Sequence, residues 1–411
     1  MIKSISVKDL GAIGNGKADD SAAFQRALDS GCGTVTVPMG RYKIGKTLYI
    51  GSDTKLMVHP KATIRLADNT LKKRGDFLIA NKSHDGGQDR NITICGGLWD
   101  GNNLTNRKPD VLFDDNACSG AIMSFKNVEG LTLSGLTLKD SGGYFTRFCR
   151  VNGFLIEDID FVSTEYAPNN DGLHIGGYVE NGVIRNIHAD TPNTTSDDLI
   201  ALNADDIITR CEALDMECGY IRNLVIDGLS ARYCASFVRM LSIDSDIINI
   251  KISNVTGGIT GMVINMDAAR YCMTPIIEPG SERFTKGVGC VKDVTVDHVR
   301  VHAVDLGHYF AYLTLESNMH NFKINDFVRE DRLEADHERK TLIIRNISPS
   351  RISFEGLNAV QAAEFANGKG ETADTENRYG EKTVSLEIDT EYYDERTISS
   401  GGFESLTIDQ L

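Results

Sequence analysis

Ile156-Glu157-Asp158-Ile159 and, 28 residues further on, Ile184-Arg185-Asn186-Ile187 carry one phrase: apolar, any residue, small or polar, apolar. The phrase recurs as Leu133-Ser134-Gly135-Leu136, Ile226-Asp227-Gly228-Leu229, Ile252-Ser253-Asn254-Val255 and Val296-Asp297-His298-Val299. In chain order the steps between first residues are 23, 28, 42, 26 and 44. The short steps suit one turn of a β-solenoid, and the long ones suit a coil with an insertion or two short coils. Apolar residues at alternate positions face a core, and β-branched Ile, Val and Thr stack well on neighbouring rungs. Tandem β-sandwiches are the rival, but they would not hold a small residue at one fixed point of the phrase. The expected fold is all-β: a right-handed single-stranded parallel β-helix (solenoid), with Ile156, Ile184, Ile226 and Ile252 at one radial position.

Such a stack needs its ends covered. Ala18-Asp19-Asp20-Ser21 offers N-cap residues for a helix over Ala22 to Leu28, ended by Gly31 and Gly33 and followed by a strand at Thr34 to Val37. A single amphipathic helix ahead of strands suits an N-terminal capping helix; an ordinary α+β start has the same pattern. One β-helix domain over 1–411 is expected, with a cap over 1–45, coils over 46–355 and a tail over 356–411. In the tail, 364–376 reads as a loop or short helix and Thr383 to Ile388 as a strand packing on or near the last coils.

Composition narrows the function. The formal charge is −15 from 43 basic and 58 acidic residues, which argues against nucleic acid or an anionic membrane as partner. Nine cysteines lack CxxC pairs and zinc spacing, and suit buried thiols of a reducing compartment. The segment Met1 to Leu10 has no apolar signal-peptide core, and no run approaches a membrane span. A cytoplasmic location is expected, or a secreted one if a signal peptide has been removed; homo-oligomerisation is left open.

Two polar turns break directly into apolar runs: Asn169-Asn170-Asp171-Gly172-Leu173-His174-Ile175 and Ser196-Asp197-Asp198-Leu199-Ile200-Ala201-Leu202. Asp171 and Asp197 are 26 residues apart, one coil length, and parallel strands lie ~4.8 Å apart. Asp171, Asp197 and Asp198 should therefore meet on adjacent rungs. Crowded carboxylates hold a proton by mutual repulsion while their neighbours stay ionised, which is what an acid/base cluster requires. Asn and Asp also populate solenoid turns with no catalytic role.

Several segments resemble known enzymes. Asp9-Leu10-Gly11-Ala12-Ile13-Gly14-Asn15-Gly16-Lys17-Ala18-Asp19-Asp20 resembles the N-terminal cap of the pectate lyase and polygalacturonase superfamily. Gly96-Gly97-Leu98-Trp99-Asp100-Gly101-Asn102 is similar to the Gly-Gly-x-x-Asp-Gly turn of polygalacturonases. Asn169-Asn170-Asp171 and Asp197-Asp198 resemble the Asn-Thr-Asp and Asp-Asp motifs of glycoside hydrolase family 28, and Val238-Arg239-Met240-Leu241 falls where that family has Val-Arg-Ile-Lys. The resemblance covers residues 7 to 265. It implies an inverting glycoside hydrolase acting on a pectin-related, plant cell-wall-type oligo- or polysaccharide, with no cofactor or metal. It further implies that Asp197 is the general acid, that Asp171 and Asp198 hold the attacking water, and that Arg239 binds sugar on a rung beyond them.

Two departures bear on the substrate. No histidine lies between Asp198 and Arg239, where the family carries Gly-His-Gly, and Leu241 stands in place of the family's Lys. Without that ammonium a uronate loses its dock, so plain polygalacturonate is not the expected substrate unless Arg147 or Arg270 supplies the cation. Other expected sugar contacts are Asn169, His174, Tyr144, Arg147 and, on the shortened coil, Tyr220. For His174 a packed or turn role is the alternative, and for Tyr144 a core role. Asp205-Asp206 reads as a solvated turn or a calcium turn. A calcium-dependent polysaccharide lyase of the same fold and a non-catalytic carbohydrate-binding β-helix are the competing functions.

Overall fold

The computed structural model describes residues 4–108, 117–192, 194–206, 216–268, 288–304, 311–332, 336, 338–346, 350–358, 361, 365, 371–376, 382–388 and 394–410. They form two compact units, Met1–Ala201 with Asp206–Cys218, and Leu202–Asp205 with Gly219–Leu411. Each is a run of parallel β-helix.

In the first unit the phrase lies in register. Val35 pairs with Leu56, Leu56 with Ile94, Ile94 with Leu133, Leu133 with Ile156 and Ile156 with Ile184. All six side chains are buried. The second unit repeats the arrangement: Ile226 pairs with Ile252, Ile252 with Val296 and Val296 with Ile324, again all buried. The 44-residue step from Ile252 to Val296 is thus one coil that carries an insertion. The apolar columns are what the parallel ladder was expected to produce.

The polar position of the phrase has a backbone cause. Gly135, Asp158 and Asn186 stack as corners at φ 66, 54 and 55°, and Gly228, Asn254 and His298 do the same at 75, 58 and 55°. This left-handed conformation suits Gly, Asn and Asp. It bends the long run Met123–Lys139, and below it Thr146–Val162, from one face of the coil to the next. Corner side chains also bond along the stack, as where Asn186 Nδ2 donates to Asp158 Oδ1 at 2.9 Å.

The helix forms at Ser21–Leu28 and buries Ala23, Phe24, Ala27 and Leu28, with Phe24 edge-on to Tyr42 at 5.1 Å. Asp20 occupies the N-cap position but makes no side-chain cap. Its carboxylate instead accepts the Ile13 and Gly14 N–H groups at 2.6 and 3.1 Å, so it pins the glycine-rich turn. The tail reverses direction. Phe403–Gln410 runs antiparallel to Met319–Arg329 and to Ser350–Glu355, and Lys382–Ile388 is antiparallel to Ser350–Glu355 and to Glu371–Glu376. Residues 371–376 are therefore strand and not the expected loop or short helix; 364 and 366–370 lie outside the described residues.

If the columns carry the fold, Ile156→Ala should cost ~2–5 kcal/mol and Ile156→Asp should fail to fold, because a buried unpaired charge costs several kcal/mol. Denaturant midpoints of both variants check this. A wild-type midpoint for Ile156→Ala would show that the column is not the source of stability.

Candidate active site

Three coils of the first unit meet at the acids. The Phe145 N–H donates to the Asp171 carbonyl at 2.8 Å, Thr146 N–H to Gly172 carbonyl at 3.1 Å, and Gly172 N–H to Asp198 carbonyl at 2.9 Å. This ladder sets Asp171, at the turn into Leu173–Ile175, directly against Asp198, which opens Asp198–Asn203. One carboxylate oxygen from each of Asp171, Asp197 and Asp198 lies within 4.8 Å of the others; Asp171 and Asp198 are buried and Asp197 is half-buried. Gly172 permits the close approach, since a Cβ there would come within 2.5 Å of the Leu199 carbonyl oxygen and 2.7 Å of the Phe161 ring.

The turn itself is fixed by side chains. Asn169 adopts φ 52° and donates Nδ2 to Asp197 Oδ2 at 3.2 Å. Asn170 Nδ2 donates to Ser163 Oγ at 3.2 Å, Ser163 N–H donates to Thr194 Oγ1 at 3.1 Å, and Ser196 Oγ donates to the Ala167 carbonyl. The two motifs therefore brace each other across one rung.

His174 sits beneath the acids. Its Nδ1 is 2.5 Å from Asp171 Oδ2 and its Nε2 is 3.1 Å from Asp206 Oδ2, with the ring buried. Burial opposes charge on the imidazole, but the Asp206 and Asp171 carboxylates outweigh it and raise its pKa above the ordinary value. Both ring nitrogens are engaged, so His174 orients Asp171. Tyr144 packs edge-on against His174 at 4.6 Å, with the Arg147 guanidinium 4.7 Å and the Lys108 ammonium 5.0 Å from its ring centre. Arg147 is buried and Lys108 half-buried. Asp206, read from sequence only as part of a solvated or calcium turn, is instead buried against His174, and Lys108 was missed altogether.

Arg239 and Tyr220 belong to the second unit. Arg239 is buried and held by Asp267, Nε to Oδ1 at 3.2 Å and a terminal nitrogen to Oδ2 at 2.9 Å. Tyr220 lies under the Arg222 guanidinium at 4.2 Å. Asp205, the suggested calcium turn, accepts the N–H groups of Ile243, Asp244 and Ser245 at 2.5, 2.7 and 2.8 Å, so it ties a turn. Arg270 lies outside the described residues.

The chemistry of the trio suits proton transfer, and three hard oxygens within 4.8 Å could also ligate a divalent cation such as calcium. Another group has the connectivity of a nucleophilic triad: Asp85 to His84 Nδ1 at 3.0 Å and His84 Nε2 to Ser124 Oγ at 2.9 Å. Ser124 is 0% exposed, so no substrate reaches it.

A family model described as "Rhamnogalacturonase A/epimerase, pectate lyase-like" matches residues 4–107, which end ahead of every candidate acid. An exopolygalacturonase of Zea mays is 27% identical over 190 residues, 42% of this chain and 43% of that one. The chain thus shows a pectate lyase-like N-terminal segment and a partial, low-identity similarity to polygalacturonases. It spans less than half the length of this maize relative. Among solved structures, the PfbA surface adhesin of Streptococcus pneumoniae matches this chain at 16% identity over 80% of each chain, with a TM-score of 0.51. The endo-xylogalacturonan hydrolase of Aspergillus tubingensis matches at 13% identity over 80% of this chain and 93% of that one, with a TM-score of 0.50. At such identities the likeness is one of fold.

The His174 contacts predict a pH signature. A folded pKa raised above the unfolded value of ~6.5 stabilises fully below that value and is lost as pH rises through the folded pKa. The stability gap between wild type and His174→Gln should therefore be largest at mildly acidic pH and shrink on the alkaline side. Urea midpoints across that range measure it, and a gap that widened with pH would mean the ring is held neutral.

Proposed function

We propose that the chain is a glycoside hydrolase acting on a pectin-related polysaccharide, with Asp197 as general acid and Asp171 and Asp198 as the pair that activates water. The observation that carries this reading is the convergence of the three carboxylates from consecutive rungs. The protonated Asp197 gives its proton to the glycosidic oxygen as the bond to the anomeric carbon breaks. Water held between Asp171 and Asp198 loses a proton to one of them and adds to that carbon. Asp197 suits the donor because it is the half-buried member, reached from solvent and steadied by Asn169. His174, itself fixed by Asp206, keeps Asp171 aimed at the water. The maize relative's name supports the substrate class at the level of pectin-related glycans.

The oxygens lie closer than the ~6.5–9.5 Å usual between acid and base in inverting enzymes and nearer the ~5–5.5 Å of retaining ones. The expectation of inversion thus rests on the family resemblance and on water entering beside the acids, not between donor and base. Proton NMR of the first-formed reducing end decides it: the inverted anomer supports the roles above, and the retained anomer makes one aspartate a nucleophile. A calcium-dependent lyase is the second reading, favoured by the same three oxygens. Chelator sensitivity together with unsaturated-uronate absorbance would select it over hydrolysis.

Asp197→Asn should fold normally and lose ~10²–10⁴ in rate, with a smaller loss on glycosides whose leaving group needs no proton. Reducing-sugar release from plant-wall oligosaccharides, measured for both proteins in parallel, tests this; full activity in the variant would refute the assignment. If wild type and variant are equally inert yet bind glycan, the chain is a binding module.

Polygalacturonate should be a poor substrate. The Leu241 side chain is buried and apolar, and Arg239 is already neutralised by Asp267. By the family resemblance, Leu241 in place of the lysine deprives a uronate of a charge-assisted bond of ~1.5–3 kcal/mol. Turnover at ordinary enzyme rates, ~1–1000 per second, would overturn this and point to another docking cation, such as Arg147 beside Tyr144.

A further inference from the structure

Charge is distributed unevenly along this chain. Residues 1–80 hold 13 basic and 7 acidic side chains, whereas the tail over 356–411 holds 4 basic and 12 acidic ones, on a chain of net charge −15. Opposite charge gathered in two segments of one sequence marks each as an electrostatic contact surface.

The basic segment shapes a cleft of about 960 Å³ in the first unit, which Lys17, Arg41 and Lys43 line where it borders Asn15–Asp19 and Arg41–Ile44. Lys17 and Arg41 are exposed and form no side-chain hydrogen bond or ion pair among the described residues. Lys43 is half-buried and pairs by register with Asp19, whose carboxylate already accepts the Ser21 and Gly45 N–H groups at 2.9 and 3.3 Å. Further along the cleft the cations are engaged: Arg65 pairs with Asp100 at 2.8 Å, and Lys139 pairs with Asp140. The cationic part is thus short, three groups on two adjacent strands.

The acidic segment contains an uncovered strand. In the second unit Met319–Arg329, Phe403–Gln410, Ser350–Glu355, Lys382–Ile388 and Glu371–Glu376 follow one another in antiparallel pairing order. Glu371–Glu376 is the last of them, and its second edge has no partner among the described strands. Its sequence, Glu371-Thr372-Ala373-Asp374-Thr375-Glu376, carries three carboxylates and no cation. Three acids on one short strand match three cations on two rungs. A long polyanion would outrun those cations and meet the remaining negative charge of the chain.

We infer that a second copy of this chain docks its Glu371–Glu376 strand on Lys17, Arg41 and Lys43. The contact joins unlike surfaces, so each copy keeps one surface free for another copy, and the assembly closes into a ring or grows. Surface charges hold it, so it forms at low ionic strength and weakens as salt screens them. Neither the carboxylate trio nor any reaction enters into it.

Sedimentation of the full chain over a concentration series tests this at low and at physiological salt. The average mass should rise with concentration at low salt and fall when salt is added. Lys17→Gln with Arg41→Gln should weaken association about five- to tenfold. Glu371→Gln with Asp374→Asn and Glu376→Gln should do the same, with melting curves to confirm that both variants fold. An equal mixture of the two variants should recover the wild-type affinity but stop at the dimer, because one copy keeps only the strand and the other only the cleft. Carbodiimide crosslinking of wild type, with isotope-labelled and unlabelled copies mixed, should join Lys17 or Lys43 to Glu371, Asp374 or Glu376 across copies. A monomer at every concentration, association that neither variant weakens, a variant mixture that fails to pair or grows past the dimer, or crosslinks confined to single copies would overturn the inference. So would equally tight binding of a single-stranded oligonucleotide by the same cations.

Discussion

The structure depends on the parallel backbone ladder, which fixes a rung spacing of ~4.8 Å and so makes neighbours of residues a coil apart in sequence. Each rung adds one aliphatic side chain to a column, Val35 through Ile184 in one unit and Ile226 through Ile324 in the other. A column tolerates long insertions between rungs, as the 44-residue step to Val296 demonstrates, because loop closure costs little more as a loop lengthens. It is more selective at a corner, where His298 is the exception among Gly, Asn and Asp. The left-handed backbone at Gly135, Asp158 and Asn186 would cost ~1–2 kcal/mol for an ordinary side chain, which is why Gly, Asn and Asp return there while the residues around them vary.

The same ladder creates the electrostatic problem of the site. It forces Asp171 and Asp198 into contact distance with both of them buried, and mutual repulsion in low dielectric is expensive. The surrounding turn answers with donors: Asn169 on Asp197 and His174 on Asp171, with Asp206 behind the histidine. Two adjacent aspartates thereby serve different ends. Asp205 is satisfied by three backbone amides and holds a turn, whereas Asp206 acts on an imidazole.

How much of this was legible follows from which features repeat. The phrase beginning at Leu133, Ile156 and Ile184 repeats, so strand type, core face and the meeting of Asp171 with Asp197 and Asp198 could be read from one sequence. Partners that occur once could not. Asp206 for His174 and Asp267 for Arg239 lie 32 and 28 residues away, and pairing them requires knowing where each turn ends, which polar turn sequences do not specify. Asp20 misleads for a related reason: an aspartate ahead of a helix looks like a cap, but the Gly11 to Gly16 turn offers its N–H groups first. The strand at Glu371–Glu376 is polar and lacks alternation, so only its pairing with Lys382–Ile388 reveals it.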